Sequence, residues 1–196
     1  MIITAAQFET GASSSTGFPV PDIPEIIFMG RSNVGKSSLL NSLTAKKDLA
    51  RVSNTPGRTR QINFFRIDDS VRFVDFPGYG FAKISQSERS SWLSLMKSYL
   101  ESNRPLSLVL LLIDARLPLQ ASDAAMISWI VGKQLPLQIV LTKVDKLNQR
   151  ERAKQGRTLL QSVRDLGAGA DLLPYSSKTG AGRKELISLI LNAAGV

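Results

Sequence analysis

Gly30-Arg31-Ser32-Asn33-Val34-Gly35-Lys36-Ser37 is a complete G-x-x-x-x-G-K-[ST] sequence, and the chemistry it suits is the handling of a polyphosphate. The glycines let the backbone curl so that its N–H groups point at the α- and β-phosphates. Lys36 then reaches the β/γ-phosphates, and the Ser37 hydroxyl ligates Mg²⁺. Ser38 is counted with the cradle. Ile26 to Met29 before it is an apolar run of buried-strand type, and Ser38 to Leu43 after it has helical spacing. The loop therefore joins a strand to a helix, the context that turns a short pattern into a phosphate site.

The base is addressed much further along. Leu137 to Leu141 is another buried-strand run, followed directly by Thr142-Lys143-Val144-Asp145. A carboxylate at that strand end faces the two donors of guanine, N1–H and the N2 amine, which adenine lacks. Sites built on paired polar groups discriminate strongly, so Asp145 is expected to select guanine while the stem of Lys143 lies over the base. Leu172 to Lys178 again reads as strand then polar loop. Within it Tyr175-Ser176-Ser177-Lys178 resembles the S-A-K element whose backbone N–H meets guanine O6.

Between these lie residues suited to sensing a γ-phosphate. Val71 to Asp75 alternates like a strand, and Asp75-Phe76-Pro77-Gly78 is D-x-x-G. Asp75 would hold Mg²⁺ through a water, and the Gly78 N–H would meet the γ-phosphate. Upstream, Ser53 to Arg60 is a polar stretch bearing Pro56 and Gly57, hence a loop. Gly57, Arg58 and Thr59 are assigned to the nucleotide, with Thr59 completing the Mg²⁺ shell when GTP is bound and Thr55 the alternative. Lys36, Thr59 and Gly78 are the expected catalytic residues. Loss of the γ-phosphate would release both loops, a two-state switch.

Composition narrows the class. With 196 residues and 43% apolar content the chain suits one compact domain. The longest strong apolar run, Leu108 to Ile113, is too short to span a bilayer. The first thirty residues lack a basic segment followed by an apolar one, so no secretory signal is expected. Absence of cysteine excludes disulfides and thiolate metal sites and fits a cytoplasmic protein. Absence of histidine removes the commonest general base, so hydrolysis has to rest on positioning and electrostatics. The net charge of +9 and a pI near 10.1 suggest a polyanionic partner. Lys46, Lys47, Arg51, Arg58, Arg60, Arg66 and Arg72 lie in and around the first switch loop, and Arg150, Arg152, Lys154, Arg157 and Arg164 on one predicted helix. Nucleic acid is favoured over membrane because no lipidation motif appears.

The elements that must position these residues follow from pattern. Residues 1–24, Ser/Gly/Pro-rich over their second half, read as a loosely ordered arm with a short strand near Ile2 to Thr4, and 25–196 as a single domain. Strands are predicted at 26–29, 61–67, 71–75, 107–113, 137–141 and 170–174, and helices at 36–45, 88–102, 121–133, 148–166 and 182–194. Such alternation implies a three-layer α/β/α fold with a six-stranded, mostly parallel sheet. Asp68-Asp69-Ser70 between two alternating runs predicts a hairpin and one antiparallel edge strand. Every motif falls at a strand's carboxyl end, where such sheets bind ligands.

Taken together, G-R-S-N-V-G-K-S-S-L-L-N at 30–41, T-P-G-R-T at 55–59, I-N-F-F at 62–65, V-D-F-P-G-Y-G-F-A-K at 74–83, L-L-I-D-A-R at 111–116 and L-T-K-V-D-K-L at 141–147 resemble the EngB (YihA/YsxC) group of Ras-like P-loop GTPases. The resemblance covers nearly the whole chain. It implies a GTP-hydrolysing, Mg²⁺-dependent switch that binds ribosomal RNA or the pre-ribosomal large subunit and acts, as a monomer, in assembly of that subunit and in cell division and septation. Two departures from small signalling GTPases matter. Tyr79 follows D-x-x-G where those proteins carry a water-orienting glutamine, implying slow intrinsic turnover and stimulation by a partner. Thr142 stands in place of asparagine at the head of the guanine motif. Asn33 resembles the asparagine that holds K⁺ in cation-dependent relatives, although a loop-satisfying role accounts for it equally. The alternatives are a signalling or membrane-associated small GTPase not bound to ribosomes, which predicts the glutamine and a lipidated terminus, and a P-loop kinase, which would not need T-K-x-D.

Overall fold

Apolar strands need cover on both faces, and the computed structural model, which describes residues 3–50, 61–80 and 86–196, supplies it. In chain order the elements are β1 (Ala6–Ala12), β2 (Glu25–Gly30), α1 (Lys36–Thr44), β3 (Ile62–Ile67), β4 (Val71–Asp75), α2 (Gln86–Glu101), β5 (Leu106–Asp114), α3 (Ala121–Gly132), β6 (Leu137–Thr142), α4 (Gln149–Asp165), β7 (Leu172–Pro174) and α5 (Arg183–Ala194). The strands form one sheet in the order β1-β3-β4-β2-β5-β6-β7. Alternate residues of its central strands point to opposite faces. Ile27, Met29, Val109, Leu111 and Ile113 join Leu95 of α2, Ile127 of α3 and Leu159 of α4 in one core. Ile26, Phe28, Leu108, Leu110 and Leu112 join Leu39 of α1 and Leu186 of α5 in the other.

Two expectations change. The sheet has seven strands, not six, because the segment read as a loose arm contributes β1, antiparallel to β3 from Ala6↔Ile67 to Ala12↔Ile62. The strand expected near Ile2 to Thr4 starts at Ala6 instead. The Thr4 and Ala5 amides are occupied by the Asp68 carboxylate, at 3.0 and 2.6 Å, and Ile2 lies outside the described residues. The β3–β4 hairpin is present. Asp68 and Asp69 both take positive φ, 47° and 54°, and the Ser70 amide donates to the Ile67 carbonyl at 3.0 Å, as a type I′ turn requires. Since β3 runs antiparallel to both β1 and β4, it is the reversed strand, yet β1 now forms the sheet's edge.

At the amino ends of the parallel strands lies a buried ionic cluster. Glu25 is fully buried and accepts from Arg72 at 2.9 Å, from both arms of Arg104 at 2.7 Å, and from the Tyr99 hydroxyl at 2.5 Å. Arg72 also donates to Glu9 and Asp22, each at 2.8 Å. Residues on both sides of the Ser/Gly-rich stretch are thereby fastened to the sheet. Arg66 pairs with Asp22 and Asp69. Neither arginine belongs to a solvated basic patch around the first switch loop, because acidic groups from the N-terminal segment neutralise both.

Candidate nucleotide site

Phosphate chemistry requires a backbone that approaches the ligand closely, and the turn after β2 is built for it. A Cβ on Gly30 would lie 2.8 Å from the Val34 side chain and 3.0 Å from the Leu112 carbonyl. Gly35 takes φ 109° as the residue that opens α1, a conformation a side chain would strain. Lys36 begins α1, with Ser37 and Ser38 half-buried in its first turn, so the amides of this helix end and its partial positive charge face the loop. Arg31 Nε and Ser32 Oγ are buried on the loop without a hydrogen-bond partner among the described residues. They line a small pocket shared with Asp114, Gln120 and Asp123.

Parallel pairing sets Phe28 of β2 beside Asp75 at the end of β4, and the Asp75 carboxylate forms an ion pair with the Lys36 ammonium. The D-x-x-G segment then lies across the phosphate loop. A Cβ on Gly78 would fall 2.8 Å from Ser32 Oγ and 3.1 Å from Ser32 N. The Ser32 amide donates to the Tyr79 carbonyl at 3.0 Å, and the Tyr79 amide to the Gly30 carbonyl at 3.3 Å. Pro77 offers its carbonyl to the Trp92 indole at 3.2 Å. The Phe76 side chain points into the core, edge-on to Tyr99 at 5.2 Å. Only its backbone is left to face a nucleotide. Tyr79 is likewise turned inward, its hydroxyl donating to Asp123 of α3 at 2.8 Å. Burial, then the Asp123 charge, pushes that hydroxyl far above the usual phenol range. Burial also raises the Asp123 carboxyl, against the pull of the Tyr79 bond and Arg31. An engaged phenol cannot orient a water.

The guanine elements assemble from β5, β6 and β7. Asp114↔Thr142 is the last pair between β5 and β6. The Thr142 hydroxyl donates to the Val34 carbonyl at 2.7 Å, so threonine ties this strand end to the phosphate loop in place of asparagine. Lys143, at φ 60°, donates to the Asn33 carbonyl at 2.6 Å and pairs with Asp114 at 3.0 Å. Asp145, half-buried in a short 3₁₀ turn, accepts from the Ser176 hydroxyl at 2.7 Å, and that bond holds its carboxyl below the ordinary value. Ser176 is fully buried and its oxygen also accepts from the Lys178 and Thr179 amides, both at 3.2 Å. The side chains of Val34, Val144 and Tyr175 are buried supports, while Ser177 and Lys178 are exposed. Asn33 is exposed at φ 61°, its carbonyl given to Lys143.

The structure thus gathers the three separate motifs around one place. Thr55, Gly57, Arg58 and Thr59 lie outside the described residues. Asp114, Arg116 and Asp123 are additions. Asp114 receives a two-armed contact from Arg116 at 2.9 and 2.7 Å. Burial would raise its carboxyl, but Arg116 and Lys143 prevail and hold it at about 2. The available signal was a lone aspartate at a strand end two residues before an arginine.

Known proteins resemble this chain in sequence and fold. Residues 25–143 match the family described as 50S ribosome-binding GTPase. The probable GTP-binding protein EngB of Chlorobaculum tepidum is 48% identical over 190 residues, 97% of each chain. That of Aquifex aeolicus is 47% identical over 176 residues, 89% of this chain and 93% of its own. A crystal structure of a probable GTP-binding protein engB superposes with a TM-score of 0.69 at 23% identity, over 87% of this chain and 98% of that one, a likeness of fold. Era, in complex with MgGDPNP and nucleotides 1506–1542 of 16S ribosomal RNA, gives a TM-score of 0.68 at 26% identity over 87% of this chain and 56% of its own. With its phosphate loop, T-K-x-D loop and D-x-x-G segment brought together, this chain is a Ras-like P-loop GTPase and belongs to the EngB family of GTP-binding proteins.

Proposed function

We propose that this GTPase is a nucleotide-driven switch acting in the cytoplasm, as a monomer, in assembly of the large ribosomal subunit, and that normal cell division and septation depend on it. The observation that carries the switch is the seating of Gly78 directly on Ser32. A γ-phosphate held by Lys36 has to meet that segment, so its loss is felt at Gly78 and Tyr79. Support for the ribosome as partner comes from the family's description and from the RNA bound by Era. Among the described residues no helix is long and apolar enough to cross a membrane, which gives the membrane-associated alternative no support.

Mg²⁺ fits the residues present, since the Ser37 hydroxyl and the Asp75 carboxylate are the hard oxygen donors it takes. When bound it would neutralise phosphate charge. The chain's own part is electrostatic. Lys36 places a cation, and the Gly78 amide a donor, where charge develops on the transferred phosphoryl group. With no histidine in the chain and Tyr79 engaged with Asp123, neither an imidazole nor the residue after D-x-x-G is available to orient the attacking water, which supports slow turnover stimulated by the partner. Thr59 would complete the metal shell, and Asn33 would hold K⁺ beside the phosphates; hydrolysis measured in K⁺ against Na⁺ tests the latter. Gradient sedimentation of lysate with GDP and with a slowly hydrolysed GTP analogue tests the whole reading. Co-migration with large-subunit particles favoured by the analogue supports it, and free protein in both gradients rejects it.

A further inference from the structure

A net charge of +9 has to reside somewhere on the surface, and the structure shows where it does not. Arg72, Arg66 and Arg104 are consumed by Glu9, Asp22, Glu25 and Asp69. Arg116 is consumed by Asp114, and Lys46 donates to the Ala6 carbonyl. Among the described residues that keep a cation without an acidic partner, the largest group on any one element lies on α4. Arg150, Lys154, Arg157 and Arg164 are all exposed, and their spacing of four, three and seven places them in one row along a helix. The row is about 21 Å long at 1.5 Å per residue. Among the described residues no acidic side chain pairs with any of the four. The acidic groups of α4 are occupied elsewhere. Glu151 closes a capping box with Asn148, and Asp165 accepts from the Gln161 amide at 2.8 Å.

The opposite side of α4 carries Leu159 and Val163, both buried in the core. The row is therefore the outermost crest of the helix, and α4 has no free apolar side to lay on lipid. Arg152 sits off the row and donates to the Leu147 carbonyl at 3.0 Å, so it does not belong with the others, although all five share the helix. The helix is held by its own cap and by Gln155, which donates to the Leu117 carbonyl at 2.7 Å. Neither fixture involves the phosphate loop or the D-x-x-G segment.

We propose that the outer row of α4 is an RNA-docking surface that lies along a phosphate backbone of ribosomal RNA and grips it equally in the GDP and GTP states. The assignment rests on the ribosomal reading above and adds the surface and its independence of nucleotide. A straight row of cations reads charge and shape and carries no base information. State dependence then belongs to the switch segments, and baseline affinity to α4.

The test compares two variants of equal charge change. One carries Arg150→Glu, Arg157→Glu and Arg164→Glu; the control carries Arg152→Glu, Lys133→Glu and Lys184→Glu. Binding is measured to purified large ribosomal subunits and to a duplex RNA hairpin over a range of KCl, with GDP and with a GTP analogue, beside vesicles of anionic lipid. The row variant is expected to keep its GTP and GDP affinities and lose at least about tenfold in RNA affinity. The slope of log affinity against log salt should fall by about 2 to 3, since each phosphate no longer met by an arginine keeps its counterion. Both effects should be the same in either nucleotide state and much larger than in the control. Equal losses in the two variants, an unchanged slope in the row variant, a loss confined to one nucleotide state, or tighter binding to vesicles than to the hairpin would overturn the proposal. Wild-type protein that ignores large subunits but binds the hairpin through this row would instead reject the ribosomal reading alone.

Discussion

The Lys143 ammonium stands 3.0 Å from the Asp114 carboxylate and 2.6 Å from the Asn33 carbonyl, so one side chain ties the end of β5 and the phosphate loop to the guanine loop. The loop expected to read the base and the phosphate loop are joined by a short polar chain of contacts, with the Thr142–Val34 bond beside it.

Asp114→Ala should therefore weaken GTP and GDP alike, by about tenfold, the worth of one charge-assisted hydrogen bond. Asp114 acts through Lys143, so the same change in a Lys143→Ala background should cost almost nothing further. Calorimetric titration of the four proteins checks this, and additive losses would reject the coupling.

The same carboxyl makes a pH prediction. Its value falls from 3.8 to about 2 on folding, so its contribution is complete above the unfolded value and fades as pH drops from 3.8 towards 2. The shift corresponds to about 2 kcal/mol. Denaturant melts should show Asp114→Asn less stable than wild type by about that amount at pH 6, with the gap closing by pH 2. A gap that persists unchanged in acid would place the cause elsewhere.

Asp145→Asn should cost at least about 2 kcal/mol in guanine-nucleotide affinity and admit xanthosine nucleotides, whose added carbonyl accepts from the new amide. Ser176→Ala should be milder and pH-dependent. Removing the bond that depresses the Asp145 carboxyl raises it, so the affinity lost at neutral pH should grow as the buffer is acidified below pH 5. Equal losses for Ser176→Ala at pH 4.5 and 7.5 would separate Ser176 from the ionisation of Asp145.

Trp92 offers an optical reading of the switch, because its indole donates to the Pro77 carbonyl within D-x-x-G. Emission should differ between the GDP and GTP-analogue complexes. The difference should survive Trp129→Phe and vanish in Trp92→Phe. Gly78→Ala, whose methyl would meet Ser32 N at 3.1 Å, should abolish the difference while sparing GDP affinity. Emission that is identical with both nucleotides in wild type would sever Trp92 from the switch.

Glu25→Ala should destabilise the fold by about 3–5 kcal/mol, because Arg72 and Arg104 would be left buried with fewer partners. Chemical denaturation measures the loss. Guanine-nucleotide affinity of the folded fraction should not change, since Glu25 begins β2 and the phosphate loop follows its other end.

The backbone frame of the candidate nucleotide site was legible in sequence because its parts are local: a glycine that takes φ 109°, a lysine at the first turn of a helix, a carboxylate at the end of a strand. What stayed hidden depends on neighbours distant in the chain. Arg66 and Arg72 read as a basic patch because their partners Asp22 and Glu9 lie 44 and 63 residues away. Asp114 acquires its role only when β5 and β6 pair. β1 escaped because Ala-Gln-Phe-Glu-Thr-Gly-Ala is weakly apolar and interrupted by a register shift between Phe8 and Thr10. Its stability comes from β3 and from Glu9 rather than from its own composition.

That first strand has a consequence for the order in which the protein is made. Glu9 leaves the ribosome well before Arg72, 63 residues behind it, exists to receive it. The β3–β4 hairpin closes through a two-residue turn, while β1 has to wait unpaired until the hairpin is complete. Until then the outer edge of β3 is open to other chains, the hazard of any bare strand. The strand that covers β3 is thus translated before the hairpin it covers, and removing Ala6–Ala12 would move the sheet's bare edge from β1 to β3.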